Sequence, residues 1–583
     1  FGVDSRASLL ALNARQKAPN VDIYVQLYNS DYQLLALRQG LENALCANQW
    51  RHVLIAKTCL SPGFSTFITN LFTSSRPFKG NNGFRYNPWL NEYEWGRGYE
   101  LYESGKLHNF AGLTYGQACK AVYEESNVML IGLRFLKPGI LKATKDDEDV
   151  EDAENFAHIV CLNPDNDYVI KGSDLGYFIS PDGKTVQSIL RSTIHSQALQ
   201  KVTEADDLYG DGLQGEELAH LKGVVVDAPT KKLDLQQLFV DPKEEVEEKI
   251  EKVLPITASI ASPIWGLSDD ITPHLKLRDK GDDDDFNIES VTNLNLKKRK
   301  IKDHIVVCGD LAHSMASFIF AFRLKSTAKS IRNSTAAGKK KDKIRPIVFV
   351  SEKPCHESAI LWMSTFEELY YIRGSPCDKA VLKSARVKKA FKVVIMPRYN
   401  KNNPDISRSE LDAKSILTYK ILRKMHILPL IELAELNNTK VLPLKFTGPN
   451  ANYERLEIAT IPPVYHPTYV SGNVFNSFGL DAMMCQVFFN KSVAQLFRLF
   501  LNPNAMSVVP MSDIVENNKK ERFGKFYTRC LKKGLLPVAL YRTKTNAPLP
   551  YVYTCPKASV LVEPSDLVFF IEPSDNTGNI SVT

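Results

Sequence analysis

The octapeptide Pro564-Ser-Asp-Leu-Val-Phe-Phe-Ile571, near the end of the chain, has a counterpart in Gly172-Ser-Asp-Leu-Gly-Tyr-Phe-Ile179. In both copies Ser-Asp-Leu is typical of a turn that leads into an apolar strand. An apolar run precedes each copy, at Val128–Arg134 in the first and at Leu536–Arg542 in the second. A repeated motif in a repeated context predicts that the protein consists of two tandem copies of one folding unit.

The second copy contains the more complete set of elements. His304-Ile-Val-Val-Cys308 is a short β-branched run that Gly309 ends, and Ser314–Leu324 has helical character. Further strands are predicted at 345–350, 369–372 and 392–396, and helices at 380–390, 407–426 and 474–501. Strands that alternate with helices indicate a parallel sheet, so we predict an α/β fold with a Rossmann-like unit in each copy.

The first copy begins partway through this plan. Residues 8–12 resemble the end of a helix, Val21–Gln26 a late strand, and 56–72 the counterpart of the long apolar helix. The early strands of its sheet are missing, and the chain begins with Phe1 rather than Met. We therefore expect the N-terminus to fall inside a domain.

Composition excludes several classes of protein. The chain has 583 residues, of which 44% are hydrophobic and 24% charged, an ordinary globular balance. Its net charge of +7 is small for this length, so no nucleic-acid partner is predicted. The ten cysteines include no CxxC pair, which argues against a disulfide scaffold or a zinc ribbon and favours a reducing compartment.

An acid-rich stretch with scattered Pro and Gly divides the two copies. It includes Asp241-Pro-Lys-Glu-Glu-Val-Glu-Glu248 and the run Asp282–Asp285, and it buries little apolar surface. We predict a truncated first domain at 1–182, an acidic, partly disordered linker at 183–302, a second domain at 303–578 and a tail at 579–583.

The sequence lacks the motifs of an enzyme. Dinucleotide binding in a Rossmann unit requires the pattern G-x-G-x-x-G, and Gly309-Asp-Leu-Ala-His-Ser314 has only the first of these glycines. No nucleophile elbow, zinc-protease motif or P-loop occurs either. A non-enzymatic protein is therefore expected, and a soluble Rossmann-type nucleotide-binding enzyme or regulator is the alternative.

Several motifs resemble a known family in their order along the chain. Cys59–Phe72, Trp95–Tyr102 and Phe110–Tyr115 resemble the first gating-ring domain of large-conductance calcium-activated (BK/Slo) potassium channels. In the second copy, Gly472–Asp481 and Pro537–Thr543 are closer to the sodium-activated relatives. In that family two such domains, called RCK domains, follow the pore. Each has a helical crossover and a C-terminal β-rich module.

The resemblance implies a function and partners. Four subunits would form a cytosolic ring, with the pore and voltage sensor of the membrane channel upstream in the same polypeptide. Binding of a regulatory ligand, calcium in the main hypothesis, would expand the ring and open the pore. A ligand does this only if it binds the expanded ring more tightly than the closed one. Activation by sodium or another ligand is the alternative.

The resemblance also implies a divalent-ion site in the first copy. Asp4 and Glu100 match carboxylate ligands of the family's calcium site, and Arg76 matches the residue that contributes a backbone carbonyl. These are the hard oxygen donors that calcium selects. We expect no equivalent site in the second copy, since the corresponding region has only Glu454 and Glu457 as acids.

The two apolar helical stretches lead to a prediction about packing. Residues 56–72 and 474–501 carry large apolar side chains on more than one face. A helix that is apolar nearly all round must be buried on several sides. We therefore predict that these stretches form the main contact between the two copies within one chain, and that tetramers are built from such pairs.

Overall fold

A computed structural model provides the fold. It describes residues 2–19, 21, 23–28, 30–41, 43–74, 87–136, 158–192, 301–309, 315–323, 345–353, 366, 368–397, 408–445, 451–489, 492–502, 505–515, 520–543, 545–574. Most of the predicted acidic linker and the predicted tail lie outside these residues.

The second half contains the predicted parallel sheet. Its six strands are β7 (Ile305–Cys308), β8 (Ile347–Ser351), β9 (Leu369–Arg373), β10 (Lys392–Ile395), β11 (Leu430–Leu433) and β12 (Val474–Asn476). They lie in the order β12-β11-β10-β7-β8-β9 and pair in parallel throughout. Both faces are covered, which explains why the strands are nearly continuous apolar runs. The prediction of a Rossmann-like α/β unit is confirmed.

Seven α-helices are described between Ile305 and Leu501. They are α8 (Met315–Arg323), α9 (Lys379–Ser384), α10 (Arg408–Lys424), α11 (Ala451–Thr460), α12 (Pro467–Val470), α13 (Phe478–Phe489) and α14 (Ser492–Leu501). The helix predicted at 380–390 is shorter than expected. It ends at Ser384, and Arg386 in the left-handed region (φ 53°) separates it from a 3₁₀ turn at Val387–Lys389.

The prediction of one long helix over 474–501 was wrong. Val474–Asn476 is the edge strand β12, in which Val474 pairs with Ile431. Two helices, α13 and α14, follow it. Apolar residues run without a break through the strand and both helices, and this hides the change of period from two to 3.6 residues.

The first half begins with a smaller sheet. Strands β1 (Tyr24–Leu27) and β2 (Asn43–Cys46) pair in parallel. The helices of this half are α1 (Gly2–Lys17), α2 (Ser30–Arg38), α3 (Ala47–Leu60), α4 (Phe64–Phe72), α5 (Pro88–Arg97), α6 (Tyr115–Ser126) and α7 (Gly183–Arg191). Helix α7 packs on the antiparallel sheet at the end of this half, although its residues fall within the predicted linker.

Each half closes with an antiparallel four-stranded sheet of the same topology. The first contains β3 (Glu100–Lys106), β4 (Met129–Leu136), β5 (His158–Leu162) and β6 (Leu175–Ser180). The second contains β13 (Met506–Pro510), β15 (Leu536–Arg542), β16 (Tyr551–Thr554) and β18 (Leu567–Ile571), with β14 (Glu521–Arg522), α15 (Phe523–Leu531) and β17 (Leu561–Val562) between them. Their orders, β3-β6-β4-β5 and β13-β18-β15-β16, correspond strand by strand.

The Ser-Asp-Leu motif forms the same turn in both sheets. Asp174 and Asp566 are buried, and one carboxylate oxygen of each accepts the backbone N–H three residues earlier at 2.9 Å. Both motifs lead into the fourth strand of their sheet. The repeat inferred from sequence is therefore confirmed by topology and by hydrogen bonding.

Each antiparallel sheet with its helix, α6 in the first half and α15 in the second, forms a closing module, and the two closing modules contact each other at matching positions. Asn163 and Cys555 follow the third strand of their sheets, with φ near 45° in both. The Asn163 side chain donates to the carbonyl of Gly534, just beyond α15. The Cys555 thiol donates to the carbonyl of Asn127, the C-cap of α6. The two modules thus pack with approximate two-fold symmetry.

The two predicted apolar stretches contact each other, but the most extensive contact between the halves is that of α8 with α3. Helices α3 and α4 pack on α13, and the ring of Trp50 lies 4.4 Å from that of Phe497 in α14. Phe72 contacts Phe497 and Phe500 edge to face. Helix α8 also packs along α3, a contact that the sequence did not suggest. The two halves therefore share one apolar core.

Candidate functional site

Asp4 is buried near the start of α1. Both of its carboxylate oxygens lie 3.2 Å from the backbone nitrogen of Tyr28 and accept its N–H. Tyr28 directly follows β1. The carboxylate therefore joins the first turn of α1 to the carboxyl end of the neighbouring strand, whatever else it binds.

Asp412 occupies the corresponding place in the second half. It lies near the start of α10 and is fully buried. Its carboxylate accepts the backbone N–H groups of Ala434 at 2.8 Å and Glu435 at 2.9 Å, just beyond β11. Burial raises the pKa of the Asp412 carboxyl. This pair was not predicted from the sequence, although an aspartate early in the helix before a late strand recurs in both halves.

Glu100 is the first residue of β3. Its Oε2 accepts hydrogen bonds from the Ser74 hydroxyl at 3.1 Å and from the Tyr102 hydroxyl at 3.4 Å. Burial, followed by the nearby Glu100 carboxylate, raises the pKa of Tyr102 to about 12, so the Tyr102 hydroxyl stays protonated and can donate. Arg76, the third predicted site residue, lies outside the described residues.

The donor chemistry around these residues suits a hard cation. Asp4 and Glu100 supply carboxylate oxygens and Ser74 a hydroxyl oxygen, and calcium binds oxygen ligands of both kinds. Within the described part of the chain, no group of three or more His, Cys, Asp and Glu side chains is arranged to hold a metal ion. Asp4 bonds to Tyr28, and Glu100 bonds to Ser74 and Tyr102, so each carboxylate has protein partners of its own.

In the second half, Glu457 is engaged with the first half. One of its carboxylate oxygens accepts a hydrogen bond from the side-chain amide of Asn87, the residue before α5. The side chain of Glu454 lies outside the described residues. That this half lacks an acidic calcium site stays a prediction.

Helix α5 ends three residues before Glu100, and the second half holds it along its length. At its N-terminal end, Trp89 packs against Tyr551 with ring centroids 5.6 Å apart. In the next turn, Glu92 accepts a hydrogen bond from the Tyr551 hydroxyl at 2.5 Å. The indole N–H of Trp95 donates to the carbonyl of Cys555 at 3.2 Å.

The last turn of α5 is held as closely. Arg97 donates to the Tyr465 hydroxyl at 2.9 Å and also lies over its ring. Gly96 lies so near β16 that a Cβ there would be 2.6 Å from the backbone nitrogen of Thr554. A movement of the second half therefore displaces α5, and with it the start of β3.

A small cleft lies at the carboxyl ends of β7, β8 and β10. Ligands of doubly wound sheets bind at this edge. Its polar groups are already engaged with one another, since Glu352 accepts hydrogen bonds from Ser375 at 2.7 Å and Lys414 at 2.9 Å. Burial raises the pKa of Cys308, which lines the cleft, to about 12 and keeps the thiol protonated.

Two family models match the chain, one in each half. The calcium-activated BK potassium channel alpha subunit matches residues 42–133, and the calcium-activated potassium channel slowpoke-like RCK domain matches residues 300–457. Both are families of potassium-channel domains. Within the described residues, no helix is both long and apolar enough to span a bilayer.

Curated relatives show the same similarity over part of their length. The calcium-activated potassium channel slo-1 of Caenorhabditis elegans is 26% identical over 191 residues, 32% of this chain and 15% of the relative. The calcium-activated potassium channel slowpoke of Drosophila melanogaster is 26% identical over 137 residues, 22% of this chain and 11% of the relative. The chain thus matches less than a fifth of either relative.

The fold is similar to that of a solved gating ring. The human SLO3 gating ring aligns with a TM-score of 0.64 at 16% identity, over 98% of this chain and 85% of that chain. This similarity shows a common fold, with a Rossmann-like sheet and a closing β module in tandem. The chain is thus similar to the RCK domains of BK/Slo potassium channels, in sequence over parts of both halves and in fold over nearly its whole length.

Proposed function

We propose that the chain is a ligand-sensing cytosolic gating ring, without enzymatic activity, that couples ion binding to the opening of a potassium-channel pore. The observation that carries this proposal is the position of α5. Glu100 follows this helix almost directly, and the second half holds the helix from Trp89 to Arg97. An ion bound at Glu100 would therefore change the position of the whole tandem pair. Its relatives are named as calcium-activated channels, which supports calcium as the ligand.

The residues that would hold the ion are Asp4 and Glu100, through their carboxylates, and Arg76, through its backbone carbonyl. A bound calcium ion would supply positive charge to these oxygen ligands. The protein's own part is to hold each carboxylate ready, Asp4 through the Tyr28 amide and Glu100 through Ser74 and Tyr102. Each ligand therefore loses little conformational freedom when the ion binds.

The test is calcium-dependent opening of the full-length channel carrying Glu100→Gln or Asp4→Asn. Each variant removes one charge with little change of volume. We therefore expect the calcium concentration for half-maximal opening to rise at least about ten-fold. Asp412→Asn is the matched control, because Asp412 makes the same helix-to-strand contact without belonging to the proposed site.

The outcomes separate ligation from a structural role. If Asp4→Asn shifts the calcium response and Asp412→Asn does not, Asp4 is a ligand. If both variants only lower expression or stability, the contact is structural. If neither Asp4→Asn nor Glu100→Gln alters the calcium needed, calcium is not bound here, and sodium or another ligand becomes the activating species.

We also propose that four chains assemble through the RCK domains, with the pore and voltage sensor upstream in the same polypeptide. Helices α1 and α2 support this assembly because they present large apolar side chains to solvent. Val3 is 72% exposed, Leu9 62%, Leu10 60% and Leu35 47%. Such a surface marks a contact with another protein, here a second copy of the chain.

Light scattering on the purified chain tests the assembly. Leu10→Asp places a charge in this surface and should reduce the measured mass to that of one chain. Leu561→Asp, at a site that is 51% exposed on β17 in the closing module, is the control and should leave the mass unchanged. Equal masses for both variants would show that the chains do not meet through α1.

A further inference from the structure

Lys57 is a buried lysine at the contact between the two halves. It lies in α3 and is 7% exposed. Its Nζ donates to the carbonyl oxygens of Phe500 at 3.2 Å and Asn502 at 2.8 Å, and it lies 5.1 Å from the centre of the Phe64 ring. The amine of one half is therefore bound to the main chain of the other.

These two carbonyls belong to the end of α14. The last carbonyls of a helix have no partner within the helix, and the C-terminal end carries a partial negative charge. Lys57 supplies the missing donor from the other half of the protein. A neutral amine can still donate two hydrogen bonds, so the contact survives when the proton is lost.

We propose that Lys57 is a proton-sensitive contact between the halves, at which uptake of a proton by Nζ weakens the packing of α3 on α14. The reason is that the contact buries Nζ with two carbonyl oxygens as its hydrogen-bond acceptors and, among the described residues, no carboxylate, so an ammonium ion there loses most of its hydration. The partial negative charge at the end of α14 and the Phe64 ring offset only part of this loss. Opening the contact returns that ion to water. This regulatory device is independent of the proposed calcium site.

The titration falls close to neutral pH. Burial lowers the pKa of Lys57 from 10.5 to about 7. The opened or unfolded form keeps the ordinary value, so between pH 7 and 10.5 it binds more protons than the folded form. Stability therefore rises with pH across this window, and below pH 7 the full cost of burying the ion is present.

The neighbouring charges do not replace Lys57 in this role. Burial lowers the pKa of Arg498 in α14, yet an arginine stays protonated throughout this range. Helix α4 has no charged residue. The titratable or charged groups described on the other elements around α3 and α14 include Arg51, His52 and Cys59 on α3, Glu103 on β3, Cys161 on β5, Arg323 on α8, Lys392 on β10, Glu432 on β11, and Asp481 and Cys485 on α13.

The size of the effect follows from the two pKa values. For one proton, the folding equilibrium constant should rise about 2-fold from pH 6 to 7, about 5-fold from pH 7 to 8 and about 9-fold from pH 8 to 9. A surface lysine, whose pKa is the same in both forms, would give no such slope.

The experiment compares urea unfolding of the chain and of Lys57→Gln between pH 6 and 9. Glutamine keeps an N–H donor for the α14 carbonyls but does not titrate, so the wild-type chain should gain the stated slope relative to the variant. Lys120→Gln, which removes a half-exposed lysine, is the control and should run parallel to the wild type. Parallel curves for wild type and Lys57→Gln overturn the proposal.

A second measurement covers the case in which Lys57→Gln does not fold. Competitive acetylation of the wild-type chain, read by mass spectrometry, gives the fraction of neutral amine at each pH. A half-point near pH 7 for Lys57 supports the proposal. A half-point above pH 9 refutes it, because the amine would then be charged at every pH at which the protein works.

Discussion

Replacing Gly472 by alanine tests how closely the backbones of the two halves meet. Gly472 has φ +70°, and a Cβ there would lie 2.6 Å from the Cα of Gly63 and 2.8 Å from its nitrogen. Gly63 itself has φ +83° and is the N-cap residue of α4. Because both partners of this contact are main chain, no side chain can turn aside to make room.

The cost has two parts. An L-residue in the left-handed region loses about 1–2 kcal/mol, and overpacking a filled core costs about 1–3 kcal/mol. We therefore expect Gly472→Ala to lower the free energy of unfolding by about 2–5 kcal/mol. Gly40 isolates the first part, since it has φ +82° and nothing lies within 4 Å of its Cβ position.

Urea unfolding of the wild-type chain, Gly472→Ala and Gly40→Ala gives the comparison. Trp50, packed on Phe497 across the same joint, reports its opening by fluorescence. Gly40→Ala should lose only about 1–2 kcal/mol. If Gly472→Ala lowers the free energy of unfolding no more than Gly40→Ala does, the two backbones do not approach each other as described.

Three further outcomes are expected. Arg51 lies 2.6 Å from the buried Glu432 carboxylate, so Arg51→Met removes this cation and should lower the free energy of unfolding by about 3–5 kcal/mol. In a double-mutant cycle, Glu432→Gln in the same chain should restore much of this loss. Burial lowers the pKa of His466 to about 4, so the free energy of unfolding should fall by about 3 kcal/mol as pH falls from 6.5 towards 4. Unfolding curves of His466→Asn should lack this loss. Tyr465→Phe removes the hydroxyl that accepts from Arg97 and should raise the calcium needed for half-maximal channel opening, whereas an unchanged calcium response would separate α5 from ligand sensing.

Local patterns predicted much of the fold. The β-branched run at Ile305–Cys308 and the Ser-Asp-Leu turns carry their own signals, since strand propensity and turn chemistry depend on neighbours in sequence. The error at 474–501 arose where this logic fails. A strand and a helix buried on all sides have the same composition, and only the partner strand β11 distinguishes them.

The candidate site was predictable only in part. Asp4 and Glu100 came from resemblance, whereas the bond from Asp4 to the Tyr28 amide depends on how α1 meets β1. The contacts that hold α5 join residues more than 360 positions apart, such as Arg97 and Tyr465. No periodicity in the sequence marks such pairs, because each is created by the packing of one half on the other.

The matching positions of Asn163 and Cys555 have a consequence for assembly. Their modules meet as the two subunits of a homodimer would, but here one polypeptide joins both partners. Tethering fixes their effective concentration, so this pairing no longer depends on how much protein is present. Because the two modules are separate segments of one chain, each can also change in sequence without the other. The Asn163 side-chain amide accordingly makes in one module the contact that the Cys555 thiol makes in the other.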